Sequence, residues 1–596
     1  MRIRWGAFPP PIGIGVNMKN RIAALLAVLA LTASLTACGG NAAAPASSST
    51  TVDKTEEQQT SAPGVEASAP AEEQEASAAE PASDVQEVPE PVVYELPLTD
   101  TPTTFTVYTT AAPGFMSPYL GPDGSYNSAE STKNFAELTG VTLQFIEIDM
   151  MSFSQNFNLM IASGDYPDLI SGVDGYAGGY TKAMDDGVII DLTDYVENDM
   201  PAYCQRLDEA DAWKDVMNDE GQMLAIYSLN SETIVDRGPV VRKDWMNALN
   251  LEEPTDYDGW TEMGKALMNG YNLPYAFYFS NVINPSITLS AGFDLPGLDM
   301  SASGTHFYQK DGQVESALVS DNFKDFLSLL HEWYALGLIS KDFFTQQSMD
   351  VKNVFAGDGC GVCWDNADFI TEDNTNAELA AKGFYCTALP IPTREEGQTL
   401  HYSLNMDGAV QAGLCVSTAC EDPELLVKTM DFSFTDQGAL LSNYGIDGIS
   451  YEMNAEGKPR WTEAMTNVEG QTFRATILTY ILNGLPTYVD VKKYWSETFD
   501  EDSLYAVELW SDTPTDKAYD LPSALFFTSE ESSVYATKIT DVETYANEYI
   551  LTCITGDADI DATWDDYAEK VWSLGLQDCI DATQNAYERY LSRSEA

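Results

Sequence analysis

Between Thr104 and Ile170 the spacing of apolar residues switches back and forth, and that alternation limits the architectures open to the chain. Thr104-Phe-Thr-Val-Tyr108 repeats every second residue, as a half-buried strand does. Ser128 to Leu138 has helical spacing and stops at Gly140. Val141-Thr-Leu-Gln-Phe-Ile-Glu-Ile148 returns to a period of two. Phe153 to Ala162 is helical again and ends before Ser163-Gly164-Asp165-Tyr166-Pro167. Asp168-Leu-Ile170 begins a third, short strand. Strand, helix, strand, helix, strand predicts an α/β fold with a parallel sheet, because parallel neighbours need a long crossover between them.

The 596 residues, 44% of them hydrophobic, are enough for a large core and predict two or more domains. The 93 acidic residues against 30 basic ones leave a formal net charge of -63. That balance excludes nucleic acid as a partner, since phosphate binding needs basic patches. It also disfavours anionic lipid headgroups as a binding surface. The acidity reads as solvation of a surface protein.

Met18 to Cys38 carries a second, independent signal. Lys19 and Arg21 give a positive start, and Ile22 to Leu35 is an apolar run of 14 residues. That run is too short for a stable membrane span and the right length for a signal-peptide core. Leu35-Thr36-Ala37-Cys38 resembles the lipobox of bacterial lipoproteins. The resemblance implies cleavage before Cys38 and a lipid anchor on its thiol. Residues 1–38 are then a signal peptide, and Pro9-Pro10-Pro11 ahead of it suggest that translation begins at Met18. Residues 39–102 read as a disordered linker of Ala, Ser, Thr, Pro and Glu, too poor in apolar surface to offset its ordering entropy.

Six further segments resemble, in order, extracellular solute-binding protein family 1, the large lipoproteins that serve carbohydrate ABC transporters. They are Asn156-Phe-Asn-Leu-Met-Ile-Ala-Ser-Gly-Asp-Tyr-Pro-Asp168, Gly187-Val-Ile-Ile-Asp-Leu-Thr-Asp194, and Val241-Arg-Lys-Asp-Trp-Met-Asn-Ala-Leu-Asn-Leu251 with Pro254, Thr255 and Trp260. Trp333-Tyr-Ala-Leu-Gly-Leu-Ile-Ser-Lys-Asp-Phe343, Asn443-Tyr-Gly-Ile-Asp-Gly-Ile449, and the closing run from Ile554 through Trp564, Tyr567 and Leu574 to Tyr590 follow. The resemblance implies a two-lobed type II periplasmic-binding-protein fold, the Venus-flytrap arrangement, with ligand in an interlobe cleft. It places lobe one at 103–232 and 402–448, and lobe two at 236–400 and 451–592. Gly238, Gly445 and Gly448 are expected near the crossings. It further implies an outward-facing, lipid-anchored monomer that passes a carbohydrate or oligosaccharide to an ABC permease.

The residues show no catalytic signature. Gly-x-Ser-x-Gly, His-Glu-x-x-His and the phosphate-binding Gly-rich loop are absent, and the three histidines are scattered. A surface glycoside hydrolase or lyase remains an alternative, since two suitably spaced carboxylates would serve; a relative that binds peptide or another solute is another. Cys360-Gly-Val-Cys363 has half-site spacing but no second pair, and reads as a buried strand. Asp557, Asp559 and Asp561 have the alternate spacing of calcium ligands, but position six is Ala562 rather than Gly. The better reading has Asp561 capping a helix through Trp564 and Tyr567. Asp373 to Glu378 is a second oxygen-rich loop. No cofactor is expected, structural calcium being the one weak candidate.

A sugar offers apolar ring faces and a polar rim, so aromatic residues beside acids mark candidate contacts. In open α/β sheets ligands collect at the C-terminal ends of strands. The candidates are Tyr108, Asp165, Tyr166, Trp364, Asp365, Tyr444 and Asp447. Trp245 and Trp333 read as core.

Overall fold

Strict alternation in Val141–Ile148 becomes a strand that buries Val141, Leu143 and Phe145 and exposes Thr142, Gln144 and Ile146. It is β2 in the computed structural model, which describes residues 90–593 apart from 112–119, 121–122, 280–285, 296–305, 347–349, 405–409, 467–472 and 523. The signal peptide, Cys38 and the linker up to residue 89 lie outside the described residues.

β1 (Thr103–Thr110) pairs with β2 in parallel, Thr103 opposite Val141 through Thr110 opposite Ile148. The helix Glu130–Thr139 connects them and ends at Gly140 with φ 75°. A side chain there would also meet the Thr99 carbonyl oxygen at 2.6 Å, so glycine is required twice over. The helix Phe153–Ser163 leads to β3 (Leu169–Ile170), which pairs in parallel with β1 on its other side. The expected parallel unit is therefore present. Three strands from distant parts of the chain complete the sheet: β4 (Ile226–Asn230), β10 (Val410–Val416) and β13 (Tyr488–Val489). The order is β13-β4-β10-β3-β1-β2, with β10 antiparallel to both β3 and β4.

A second sheet has the order β8-β5-β9, from β5 (Arg237–Arg242), β8 (Val362–Asn366) and β9 (Cys386–Ala388), all antiparallel. Two hairpins stand apart: β6 (Phe307–Lys310) with β7 (Gln313–Ser316), and β11 (Tyr451–Met453) with β12 (Pro459–Trp461). Each sheet has its own core. Phe105, Val107, Phe135, Leu143, Ile226 and Val416 pack around the first. Trp260, Phe277, Phe326, Trp333 and the long helices Ser529–Thr555 and Leu576–Ser592 build the core beside the second. Trp245 and Trp333 are buried in it.

Several expectations need correction. Residues 90–102, inside the stretch read as linker, are part of the folded body. Val92, Tyr94, Leu96 and Leu98 pack on the first core, and the Leu98 amide donates to the Thr139 carbonyl at 2.8 Å. Four apolar residues in alternate positions suffice to anchor a segment whose composition is otherwise that of a disordered tail. Residues 482–489, assigned to the second lobe, contribute Leu482, Leu485 and β13 to the first core and sheet. The helix Ile560–Ser573 is capped by Asp559, which accepts from the Ala562 amide at 3.1 Å. Asp561 lies within the first turn and pairs with Lys324 at 2.8 Å. Asp373 and Asn374 belong to the helix Asp368–Thr375, and Asn376 caps the next short helix, so that segment is not a free oxygen-rich loop.

Candidate functional site

The chain passes between the sheets at defined points. From Asn230, the end of β4, six residues reach Arg237, the start of β5. A second passage follows β13 at Val489 and enters the helix Val491–Thr498. The two are tied together: the Ser231 amide donates to the Val489 carbonyl at 2.9 Å, and the Val491 amide donates to Ser231 Oγ at 3.0 Å. The C-terminal ends of β1, β2, β3 and β4 lie on the edge of the first sheet from which these passages leave. The opposing edge of the second sheet carries Arg237 in register with Asn366, the last residue of β8. Its guanidinium Nε donates to Asn366 Oδ1 at 2.7 Å.

Trp364 and Asp365 stand beside that pair at the end of β8. Alternation along the strand sends them to opposite faces. The Trp364 indole is half-buried and packs against Phe279 (ring centroids 5.3 Å), Trp260 (5.5 Å) and Phe277 (6.4 Å). Its Nε1 is buried without a hydrogen-bond acceptor. Asp365 turns toward Asp368 and Asp373, and burial pushes its carboxyl up to about 6.

Tyr444 is buried in a second aromatic group, with Trp461 at 5.2 Å, Tyr494 at 5.9 Å and Tyr451 at 6.0 Å. Its hydroxyl donates to Glu497 Oε2 at 2.9 Å, on the helix that follows the second passage. Asp447 is exposed three residues further along the same turn. Gly445, at φ 85°, lies in this turn, which Asn443 fastens to β13 by donating to the Tyr488 carbonyl at 2.9 Å. Gly238 serves a different purpose from a hinge: an ideal Cβ there would sit 2.6 Å from Cδ2 of the Trp510 indole, so glycine is needed for close packing.

The remaining candidates lie elsewhere. Tyr108 is 3% exposed and packs 5.3 Å from Phe153, with its hydroxyl buried and unpartnered. Asp165 and Tyr166 precede β3, whereas the C-terminal edge begins after it, at Ser171. A loop that enters a parallel strand lies at the sheet edge opposite the one from which the chain leaves. Asp168, in the same loop, accepts from the Thr106 amide near the start of β1 at 2.7 Å.

Polar groups not singled out from sequence share the edges with the passages. Besides Arg237 and Asn366, Glu147 near the end of β2 accepts from the Tyr126 amide at 2.9 Å. Glu147 and Tyr126 are 21 residues apart and Arg237 and Asn366 are 129 apart, so no local pattern marks either pair. Cys360 and Cys363 are buried free thiols pushed up by burial, and Cys363 lies in β8. Among the described residues no group of three His, Cys, Asp or Glu side chains is placed to hold a metal ion.

No family model matches the chain. It is 24% identical over 481 residues to the fructooligosaccharide ABC transporter substrate-binding protein FusA of Streptococcus pneumoniae, covering 75% of this chain and 85% of that protein. It is 24% identical over 350 residues to the lipoprotein LipO of Bacillus subtilis, covering 57% of this chain and 67% of that protein. The structure of FusA with kestose superposes with a TM-score of 0.65 at 20% identity, over 82% of this chain and all of that one. These similarities agree with the resemblance to extracellular solute-binding protein family 1. The fold of the chain is the two-lobed α/β fold. The alginate-binding protein AlgQ2 without calcium superposes with a TM-score of 0.66 at 21% identity, over 82% of this chain and 99% of that one. In this fold the two sheets described above are the centres of the two lobes, and Arg237, Asn366, Trp364 and Asp365 lie where the first passage enters the second sheet.

Proposed function

We propose that this protein is a surface lipoprotein, anchored through Cys38, that captures a sugar or oligosaccharide between its lobes and hands it to an ABC permease. The observation that carries this reading is the match to FusA over 75% of this chain and 85% of that protein, a substrate-binding protein whose name gives fructooligosaccharide as its cargo and which has been solved with kestose. The site chemistry agrees with it. Trp364 offers an aromatic edge, and Arg237 and Asn366 offer a polar rim, on elements held by the lobe-two core. No bond is made or broken. Ligand shifts the lobes toward closure only if both contact it, since a ligand with equal affinity for open and closed forms shifts nothing. The permease is a partner by analogy with the relatives, and the protein acts as a monomer. Among the described residues no helix is long and apolar enough to cross a membrane.

A thermal-shift and calorimetric screen against mono- and oligosaccharides, kestose included, tests the proposal. Saturable binding with a raised melting temperature and no released product supports it. Product release, or binding confined to peptides, overturns it.

A further inference from the structure

Away from the covalent passages, the lobes are joined by a knot of charges. Asp219, in the turn ahead of β4 in lobe one, accepts from Arg589 Nε at 2.6 Å and from Arg593 Nη2 at 2.7 Å and Nε at 3.0 Å. Both arginines are on or at the end of the last helix, Leu576–Ser592, whose other residues pack in the lobe-two core. Arg593 also donates to the Lys214 carbonyl at 2.9 Å, and the Tyr590 hydroxyl to Asp215 Oδ1 at 2.8 Å, both in lobe one. Within lobe two, Arg589 is held by Glu531 (2.6 and 2.9 Å) and by the Phe526 carbonyl at 2.8 Å. The Arg593 guanidinium lies 5.1 Å from the Phe526 ring centroid, and Phe526 meets Tyr180 of lobe one at 6.1 Å.

This is no ordinary surface pairing. The Arg593 side chain is 4% exposed and that of Asp219 15%. Desolvated, bidentate pairs are far more costly to break one-sidedly than exposed ones. The chain spends two of only 30 basic residues here, against a net charge of -63 that pushes acidic lobes apart. The position matters as well. β4 runs from the neighbourhood of Asp219 to the first passage, so the knot grips lobe one about a strand's length, ~16 Å, from the point about which the lobes turn. A rotation of ~20° at that radius displaces the groups by ~5 Å, beyond hydrogen-bond reach.

We infer that the Asp219–Arg589–Arg593 knot is an interlobe latch, which must open before the lobes can rotate and which holds the ligand-free protein near one separation. This rests on the two-lobed fold and on hinge motion, but not on the ligand being a sugar. The test is pulsed electron-spin distance measurement on the ligand-free full chain, with nitroxide-bearing unnatural residues at exposed Asn158 in lobe one and Glu378 in lobe two. Asp219→Asn is expected to widen the interlobe distance distribution relative to the parent. Arg589→Gln, at the more exposed arginine, is expected to do the same to a lesser degree and serves if the first variant fails to fold. An unchanged distribution in a folded Arg589→Gln or Asp219→Asn protein overturns the latch. A failed sugar screen with widened distributions would instead leave the latch standing and count only against the proposed cargo.

Discussion

The Tyr94 hydroxyl donates to the buried Asp431 carboxylate at 2.6 Å, joining residues 337 positions apart. Asp431 also accepts from the Ala202 and Tyr203 amides at 3.1 and 2.7 Å, at the start of the helix Pro201–Ala210. One carboxylate therefore caps a helix and secures the segment around Tyr94 against lobe one. Tyr94→Phe removes a donor to a buried acceptor and should lower unfolding free energy by about 1–2 kcal/mol. Urea denaturation of the parent and variant gives the value; no loss would mean the segment is held by its apolar contacts alone.

A pH dependence follows from Asp373. It is 3% exposed, its Oδ2 has no hydrogen-bond partner, and burial pushes its carboxyl up to about 7 from an ordinary 3.8. Lys352 and Arg242 pull the other way, and Asp365 adds like charge. Because the folded value lies above the unfolded one, the unfolded chain ionises first as pH rises. Stability is then full below about pH 4, falls by up to about 1.4 kcal/mol per pH unit toward pH 7, and levels off above it. Asp373→Asn should remove most of that slope. Denaturant midpoints from pH 5 to 8 should show the variant gaining on the parent as pH rises; parallel curves would mean the carboxyl is not buried in solution.

Two aromatic substitutions separate the edges of the molecule. Trp364→Ala should weaken binding of any oligosaccharide found in the screen by about tenfold or more, ~1.4 kcal/mol, as loss of a central aromatic anchor does. Tyr166→Ala, at the far edge of the first sheet, should leave affinity unchanged. The reverse outcome by calorimetry would move the site to the other end of lobe one.

Gly238→Ala should destabilise lobe two by about 1–3 kcal/mol, because its methyl group would displace Trp510, whose Nε1 donates to the Leu389 carbonyl at 3.0 Å. A thermal melt checks it, and an unshifted melting temperature would show that the indole can move aside.

Cys38→Ser should release the protein from the membrane fraction into the medium, since a thiol is needed for the thioether of the anchor. Retention in the membrane, read by fractionation and mass spectrometry of the amino terminus, would argue for another mode of attachment.

The parallel unit from Thr103 to Ile170 was legible in the chain because each element declares itself within a dozen residues: a period of two, a helical run, a glycine stop. The same holds for β8, with small and apolar residues through Cys363, and for Trp333 as core. Asp165 and Tyr166 show that more could have been read: they precede a parallel strand, and that alone assigns them to the sheet edge opposite its C-terminal end. What no local pattern discloses is pairing between distant segments. β4, β10 and β13 join the first sheet, Arg237 meets Asn366, Tyr94 meets Asp431, and Asp219 meets Arg589, only once the chain has closed loops of tens to hundreds of residues. Loop closure costs only slowly more with length, so almost any such pairing is affordable in entropy. Burial and complementary charge in the assembled lobes decide which one forms, and those exist only in three dimensions.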